Sequence, residues 1–158
     1  MVSDSKCFVV IRLRGDVNNS EDVKYTLKLL HITRVNHAVL MDNRPSYLGM
    51  INKVRDLITW GEVSKENVLN LVKKRGRLTG GRKLDDTTVK ELGYDSLESL
   101  SEDLYTLKRE PSSIPNMKPI FRLTPPTGGL TKKKRSVGDT GSLGYRGEAI
   151  NELLIRMM

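Results

Sequence analysis

Residues 34–63, RVNHAVLMDNRPSYLGMINKVRDLITWGEV, decide the fold of this chain. The apolar run at residues 37–41 stops at a cluster of turn-forming residues, which is typical of a strand followed by a turn. Ser46 lies where the N-cap of a helix is expected, and residues 58–63 read as a second strand. The helix between them is predicted from an apolar stripe of Tyr47, Met50, Ile51, Val54, Leu57 and Ile58. The stretch therefore predicts strand, turn, helix and strand, with polar side chains exposed on the turn.

The preceding residues complete the first domain, which we place at residues 1–63. Residues 7–14 form a strand with apolar side chains on both faces, as expected in the middle of a sheet. Arg12 and Arg14 are expected to emerge at its end. Ser20 is the predicted N-cap of a helix that buries Leu27. The order of elements is thus β-α-β-α-β.

The second half of the chain is predicted to be an addition rather than a second core. Residues 64–117 form a helical extension with N-caps at Ser64 and Ser96. Residues 118–158 are rich in glycine and proline at first, which predicts an extended basic segment, and end in a helix with an apolar stripe.

Charge is distributed unevenly along the chain. The formal net charge is +8, with a pI near 9.7. Residues 73–83 contain six basic residues and no acidic one, and residues 118–147 contain seven basic residues against Asp139 alone. Basic residues gathered on loops predict binding to a polyanion, either nucleic acid or the rival candidate, a membrane surface.

No catalytic or metal-binding pattern stands out. Cys7 is the single cysteine, so the sequence predicts no disulfide framework and no zinc site, in keeping with a reducing cytoplasm. The glycines at 80 and 81 lack the spacing of a phosphate-binding loop. We therefore expect no cofactor, no small-molecule substrate and no enzymatic activity, and a soluble, cytoplasmic chain.

Five collinear stretches carry a family resemblance. They are residues 34–47, residues 49–63, KKRGRL at 73–78, KPIFRLTPPTGG at 118–129 and GSLGYRGEAINELL at 141–154. Together they resemble the L-thirty family of large-ribosomal-subunit proteins, in its long archaeal and eukaryotic form.

The resemblance implies an α+β fold, related to the ferredoxin-like fold. It has a three-stranded antiparallel sheet with the first strand central and two helices on one face. Alternating strands and helices would by themselves suggest parallel pairing. It also implies a structural protein of the large subunit that binds large-subunit rRNA near the 5S rRNA and contacts neighbouring ribosomal proteins.

Two other classes stay open: a free RNA-binding protein or RNA chaperone outside the ribosome, and an RNA-modifying enzyme with a basic docking surface. In the ribosomal interpretation, RNA contacts are predicted to be mainly to phosphates and 2′-hydroxyls. The residues predicted to bind RNA are Arg12, Arg14, Arg34, His37, Arg44, Ser46, Tyr47, Lys73, Lys74, Arg75, Arg77, Arg82, Lys83, Arg122, Lys132, Lys133, Lys134, Arg135, Tyr145 and Arg146.

Overall fold

The strand Phe8–Arg12 (β1) is the centre of the sheet in the computed structural model, which describes residues 6–15, 17–130 and 141–158. Its neighbours are His37–Met41 (β2) and Ile58–Glu62 (β3), and both run antiparallel to it. Every residue of β1 is buried because both faces of the sheet are covered. The predicted α+β fold with an antiparallel sheet and a central first strand is confirmed.

Two helices cover one face of this sheet, as expected. They are Glu21–Leu29 (α1) and Pro45–Lys53 (α2), and side chains from both join a single buried cluster with Val10 and Trp60. Ser20 caps α1 as predicted, since its hydroxyl accepts the N–H of Val23 at 3.4 Å.

The start and end of α2 differ from the prediction. The N-cap is Arg44 rather than Ser46, because Pro45 occupies the first helical position, where its missing N–H and fixed φ are favourable. The helix ends at Lys53 and Val54 is its C-cap, so Leu57 and Ile58 lie beyond it. The apolar stripe therefore continues into a turn and β3 rather than along the helix.

The second half of the chain covers the other face. Its helices are Lys65–Arg75 (α3), Leu97–Tyr105 (α4) and Ile150–Met157 (α5), with shorter 3₁₀ helices at Thr88–Leu92, Pro111–Ser113 and Gly147–Ala149. Ser64 and Ser96 cap α3 and α4 as predicted.

The expectation that the second half adds no core of its own is wrong. Val9 and Ile11 of β1 point to the face opposite α1 and α2, where they join a large buried cluster with Leu71, Leu104 and Leu154. A central strand with apolar side chains on both faces needs a packed layer on each side of the sheet. If one layer were missing, the apolar side chains on that face would be exposed to water. The domain limits at residues 63 and 117 stay predictions.

Within residues 6–15, 17–130 and 141–158, two short strands widen the sheet from three strands to five. Phe121–Arg122 (β4) pairs antiparallel with β2, and Gly144–Tyr145 (β5) pairs parallel with β3, giving the order β4-β2-β1-β3-β5. Both strands lie in the stretch that was predicted to be an extended loop. The sequence did not predict them because two residues are too few to show an alternating pattern. Within the described residues, no helix combines the length and apolar character needed to cross a membrane.

Candidate nucleic-acid interface

Four basic side chains from two separate parts of the sequence meet at one surface groove with a volume of about 300 Å³. The residues that line it are Arg75, Arg77, Gly81, Lys118, Ile120 and Arg122. None of these six is acidic, so the groove presents uncompensated positive charge, which suits a polyanion. We call it the basic groove.

Backbone hydrogen bonds bring the two basic segments together. The N–H of Lys118 donates to the carbonyl oxygen of Arg77 at 3.0 Å. Arg77 also forms an isolated bridge with Lys83, across a turn in which Gly80 and Gly81 have φ of +90° and +82°. Such positive φ values favour glycine, so the turn that closes this side of the groove depends on both glycines.

Two arginines of the basic groove donate to backbone oxygens. Arg77 donates to the carbonyl oxygen of Gly76 at 2.8 Å, and Arg75 donates to the backbone oxygen of Met158 at 2.8 Å. The Nε of Arg75 is buried and has no partner within the described part of the chain. The bond to the Gly76 carbonyl fixes the direction of the Arg77 guanidinium without neutralising its charge, so this group remains available to an anion.

His37 extends the basic surface along the edge formed by β2 and β4. It lies opposite Arg122 in the strand register. Burial, followed by the charges of Arg122, Arg34 and Arg12, lowers the pKa of its imidazole. Its Nδ1 is buried, and no described residue forms a hydrogen bond with it. Arg34 is exposed. The negative charge of a phosphate beside these cations would offset their repulsion of a protonated His37 and so raise the pKa of its imidazole.

Arg44, Ser46 and Tyr47 are not part of the basic groove. Arg44 bonds both oxygens of Asp42, with Nη2 to Oδ2 at 2.6 Å, and it also pairs with Glu110. Its guanidinium lies 4.7 Å from the centre of the Tyr47 ring, and the Tyr47 hydroxyl donates to Glu110 at 3.2 Å. The hydrogen bond to Asp42 is the main cause that raises the pKa of Arg44. This cluster joins the turn before α2 to Glu110, and its single guanidinium faces two carboxylates, so the cluster carries no excess positive charge. Ser46 is exposed in the first turn of the helix.

The two arginines at the end of β1 have different environments. Arg12 does not emerge as expected: it is only 1% exposed, and it donates to the carbonyl oxygens of Arg14 at 2.8 Å and Ile32 at 3.2 Å. Arg14 is half-buried and donates to the carbonyl oxygen of Asp56 at 3.4 Å. Arg12 therefore holds the backbone at Arg14 and Ile32 in place beneath the surface. Its side chain is too buried to make the predicted RNA contact.

The segment at residues 73–83 is only partly a loop. Lys73, Lys74 and Arg75 form the last turn of α3, where positive charge also favours the helix dipole. Both lysines are exposed, as is Lys83, whereas Arg82 pairs with Glu91 at 3.0 Å. Arg82 is therefore partly neutralised, unlike the two lysines.

Tyr145 and Arg146 lie at the opposite edge of the sheet from the basic groove. Arg146 donates to the hydroxyl of Thr59 and to the carbonyl oxygen of Ser142, both at 2.8 Å, and burial lowers its pKa. It therefore pins β5 to β3. The predicted contacts Lys132, Lys133, Lys134 and Arg135 lie outside the described residues.

Lys118 and Ile120 line the basic groove but are not among the residues predicted from the sequence to bind RNA. The sequence could have indicated them, because every second side chain of an extended chain lies on the same side. Lys118, Ile120 and Arg122 alternate with Pro119 and Phe121 and therefore share one side.

The Cys7 thiol lies in the core, where burial and then the charge of Asp42 raise its pKa to about 12. It is therefore a neutral packing group rather than a nucleophile. No group of three or more His, Cys, Asp or Glu side chains that could hold a metal ion occurs in the described part of the chain.

Residues 8–58 match the family described as ribosomal protein L30p/L7e. Three relatives named large ribosomal subunit protein uL30 resemble nearly the whole chain. The Methanopyrus kandleri protein is 46% identical over 151 residues, covering 92% of this chain and 100% of the relative. The Methanosphaera stadtmanae protein is 44% identical, covering 96% and 99%. The Thermofilum pendens protein is 40% identical, covering 96% and 98%.

Proposed function

Because this chain belongs to the ribosomal protein L30p/L7e family, we propose that its basic groove binds rRNA of the large ribosomal subunit. The chain is a structural constituent of that subunit and not an enzyme. Its partners are large-subunit rRNA and neighbouring ribosomal proteins, and its location is the large subunit in the cytoplasm. We further propose a position near the 5S rRNA, which follows from the family resemblance alone.

The observation that carries the groove assignment is the convergence of two basic segments on one acid-free surface. Arg77 and Lys118 are 41 positions apart in the sequence and are joined by a backbone hydrogen bond of 3.0 Å. Folding brings their charges together even though they repel each other, and a bound polyanion offsets that repulsion. If these cations only stabilised the protein itself, we would expect them to pair with acidic side chains, as Arg82 pairs with Glu91.

The chemistry of the groove fits the backbone of folded RNA. Guanidinium groups give forked donors to phosphate oxygens, and Lys118 adds a mobile point charge. A-form helices are recognised mainly by shape, phosphates and 2′-hydroxyls, so the groove needs no base-reading side chains. It positions the protein on rRNA and brings positive charge to phosphates that the RNA fold crowds together.

Salt dependence of binding tests the assignment. We expect Arg77→Ala combined with Arg122→Ala to lower the slope of log K against log salt by about 1.4–1.8 for a structured large-subunit rRNA fragment, at 0.7–0.9 per phosphate contact. Restoring charge with Arg77→Lys and Arg122→Lys should recover most of the slope.

The matched control changes two arginines that already have acidic partners, Arg44→Ala with Arg82→Ala. It removes the same formal charge but no groove contact, so its slope should stay near that of the unmodified protein. Melting curves of all variants show whether each remains folded. Equal slopes for the groove and control variants, both folded, would contradict the assignment.

A further inference from the structure

A second pocket lies at the opposite edge of the sheet, beside β5 and the end of α2. It has a volume of about 420 Å³, within the range of about 300–1,000 Å³ typical of small-molecule sites. The residues that line it are Asn52, Arg55, Asp56, Trp60, Leu143, Gly144 and Tyr145. It is separate from the basic groove, and of its lining residues only Tyr145 is among those predicted from the sequence to bind RNA.

One wall of this pocket is an aromatic surface that the protein holds in place. Tyr145 is 51% exposed, yet its ring packs at 6.1 Å from that of Trp60 and 6.4 Å from that of Phe8. Its hydroxyl donates to Glu62, and this bond is the main cause that raises the pKa of Tyr145 to about 12. The ring is anchored at its tip and along one side, so stacking on it costs little side-chain entropy.

The rim of the pocket supplies polar groups without internal partners. Asn52 and Arg55 are exposed, and within the part of the chain that the structure describes neither side chain makes a hydrogen bond. Asn52 offers amide donors and an acceptor, and Arg55 offers a fork of donors. The carboxylate of Asp56 adds an acceptor for an amino group. Gly144, at φ +92°, leaves open space where a side chain would otherwise project.

We propose that this pocket binds one unpaired nucleobase of an RNA strand, stacked on Tyr145 with its edge toward Asn52 and Arg55. Every base has a π-face and an edge of donors and acceptors, which is the combination that the wall and rim provide. An aliphatic peptide side chain would leave the rim groups unpaired. The proposal rests on the proposed function only in taking RNA as the partner, since the basic groove contacts phosphates at the other edge of the sheet.

Trp60 is the only tryptophan in the chain, so its fluorescence reports on this pocket directly. We would titrate the full-length protein with a single-stranded tetra-adenylate and with a matched abasic oligonucleotide of the same phosphate count. The expected result is quenching by the first and little by the second. Tyr145→Leu should weaken tetra-adenylate binding about 5- to 160-fold, the range for loss of one base–aromatic stack. Tyr145→Phe keeps the ring and should retain most of the affinity.

Tyr25→Leu is the matched control, because it makes the same chemical change at a tyrosine that is 63% exposed on α1 and lines neither the pocket nor the basic groove, and it should leave tetra-adenylate binding unchanged. Equal binding of both oligonucleotides, or unchanged binding by a folded Tyr145→Leu variant, would overturn the proposal. Quenching by a tyrosine-containing peptide but not by either oligonucleotide would also overturn it and assign the pocket to a protein partner. Failure here leaves the salt slope of the groove variants intact, so the two proposals fail separately.

Discussion

Replacing Gly61 with alanine tests whether β3 packs against the second half as closely as the structure shows. Gly61 lies in β3 opposite Val9, and an added Cβ would overlap the carbonyl oxygen of Gly147 and come within 3.0 Å of the Ile150 Cβ. The oxygen belongs to the backbone, so it cannot rotate away. Overpacking of this kind costs about 1–3 kcal/mol, which corresponds to a fall in Tm of about 2–12 °C for a chain of this size.

The matched control is Gly49→Ala, the same chemical change in the middle of α2, where an added Cβ meets no atom within 4 Å. Removing a helical glycine should stabilise the protein by about 0.5–1 kcal/mol. Thermal melts followed by circular dichroism and by Trp60 fluorescence measure both variants. A Gly61→Ala protein that melts at or above the unmodified protein would refute the packing of β3 against the turn before α5.

Three further predictions follow from buried groups and from charge. Val54→Asp places an unpaired carboxylate at a position only 1% exposed and should cost about 3–5 kcal/mol, measured by denaturant unfolding; wild-type stability would contradict the assigned burial. Because the folded protein lowers the pKa of His37 below 6.5, stability should be full above that pH and fall as pH drops below it, and His37→Gln should reduce the fall between about pH 7.5 and 5.5. An unchanged pH profile would exclude His37 as the cause. Changing Lys132, Lys133, Lys134 and Arg135 to alanine should lower the salt slope of rRNA binding by up to about 3–4, equally for related and unrelated helices. An unchanged slope would mean that these four residues contact no phosphate.

Features of the fold that depend on local pattern could be predicted from the sequence. The double-sided apolar run of β1 indicated a central strand, and the serine caps at 20, 64 and 96 marked helix starts. The prediction of Ser46 as an N-cap was wrong because Pro45 occupies the first position of α2, where its missing N–H needs no partner and the helix starts without a side-chain cap. A cap residue is therefore a weaker signal when proline precedes it.

The basic groove depends on contacts that spacing does not encode. The clusters of positive charge were visible, but their meeting depends on the backbone bond between Lys118 and Arg77. The same holds for Arg44, whose partner Glu110 is 66 positions away. The exposure and the ion-pair partners of each arginine could thus be known only from the structure. These two properties distinguish Arg77 and Arg122 from the buried or ion-paired arginines.

A cryo-EM map of a large ribosomal subunit containing this chain would test the central claim most directly. Ion pairing between guanidinium and phosphate requires nitrogen and oxygen within about 4 Å. We predict rRNA phosphates at that distance from Arg77 and Arg122, with the ion-paired Arg44 farther from the RNA. A map in which the basic groove faces solvent or another protein, while rRNA lies against a different face, would contradict it.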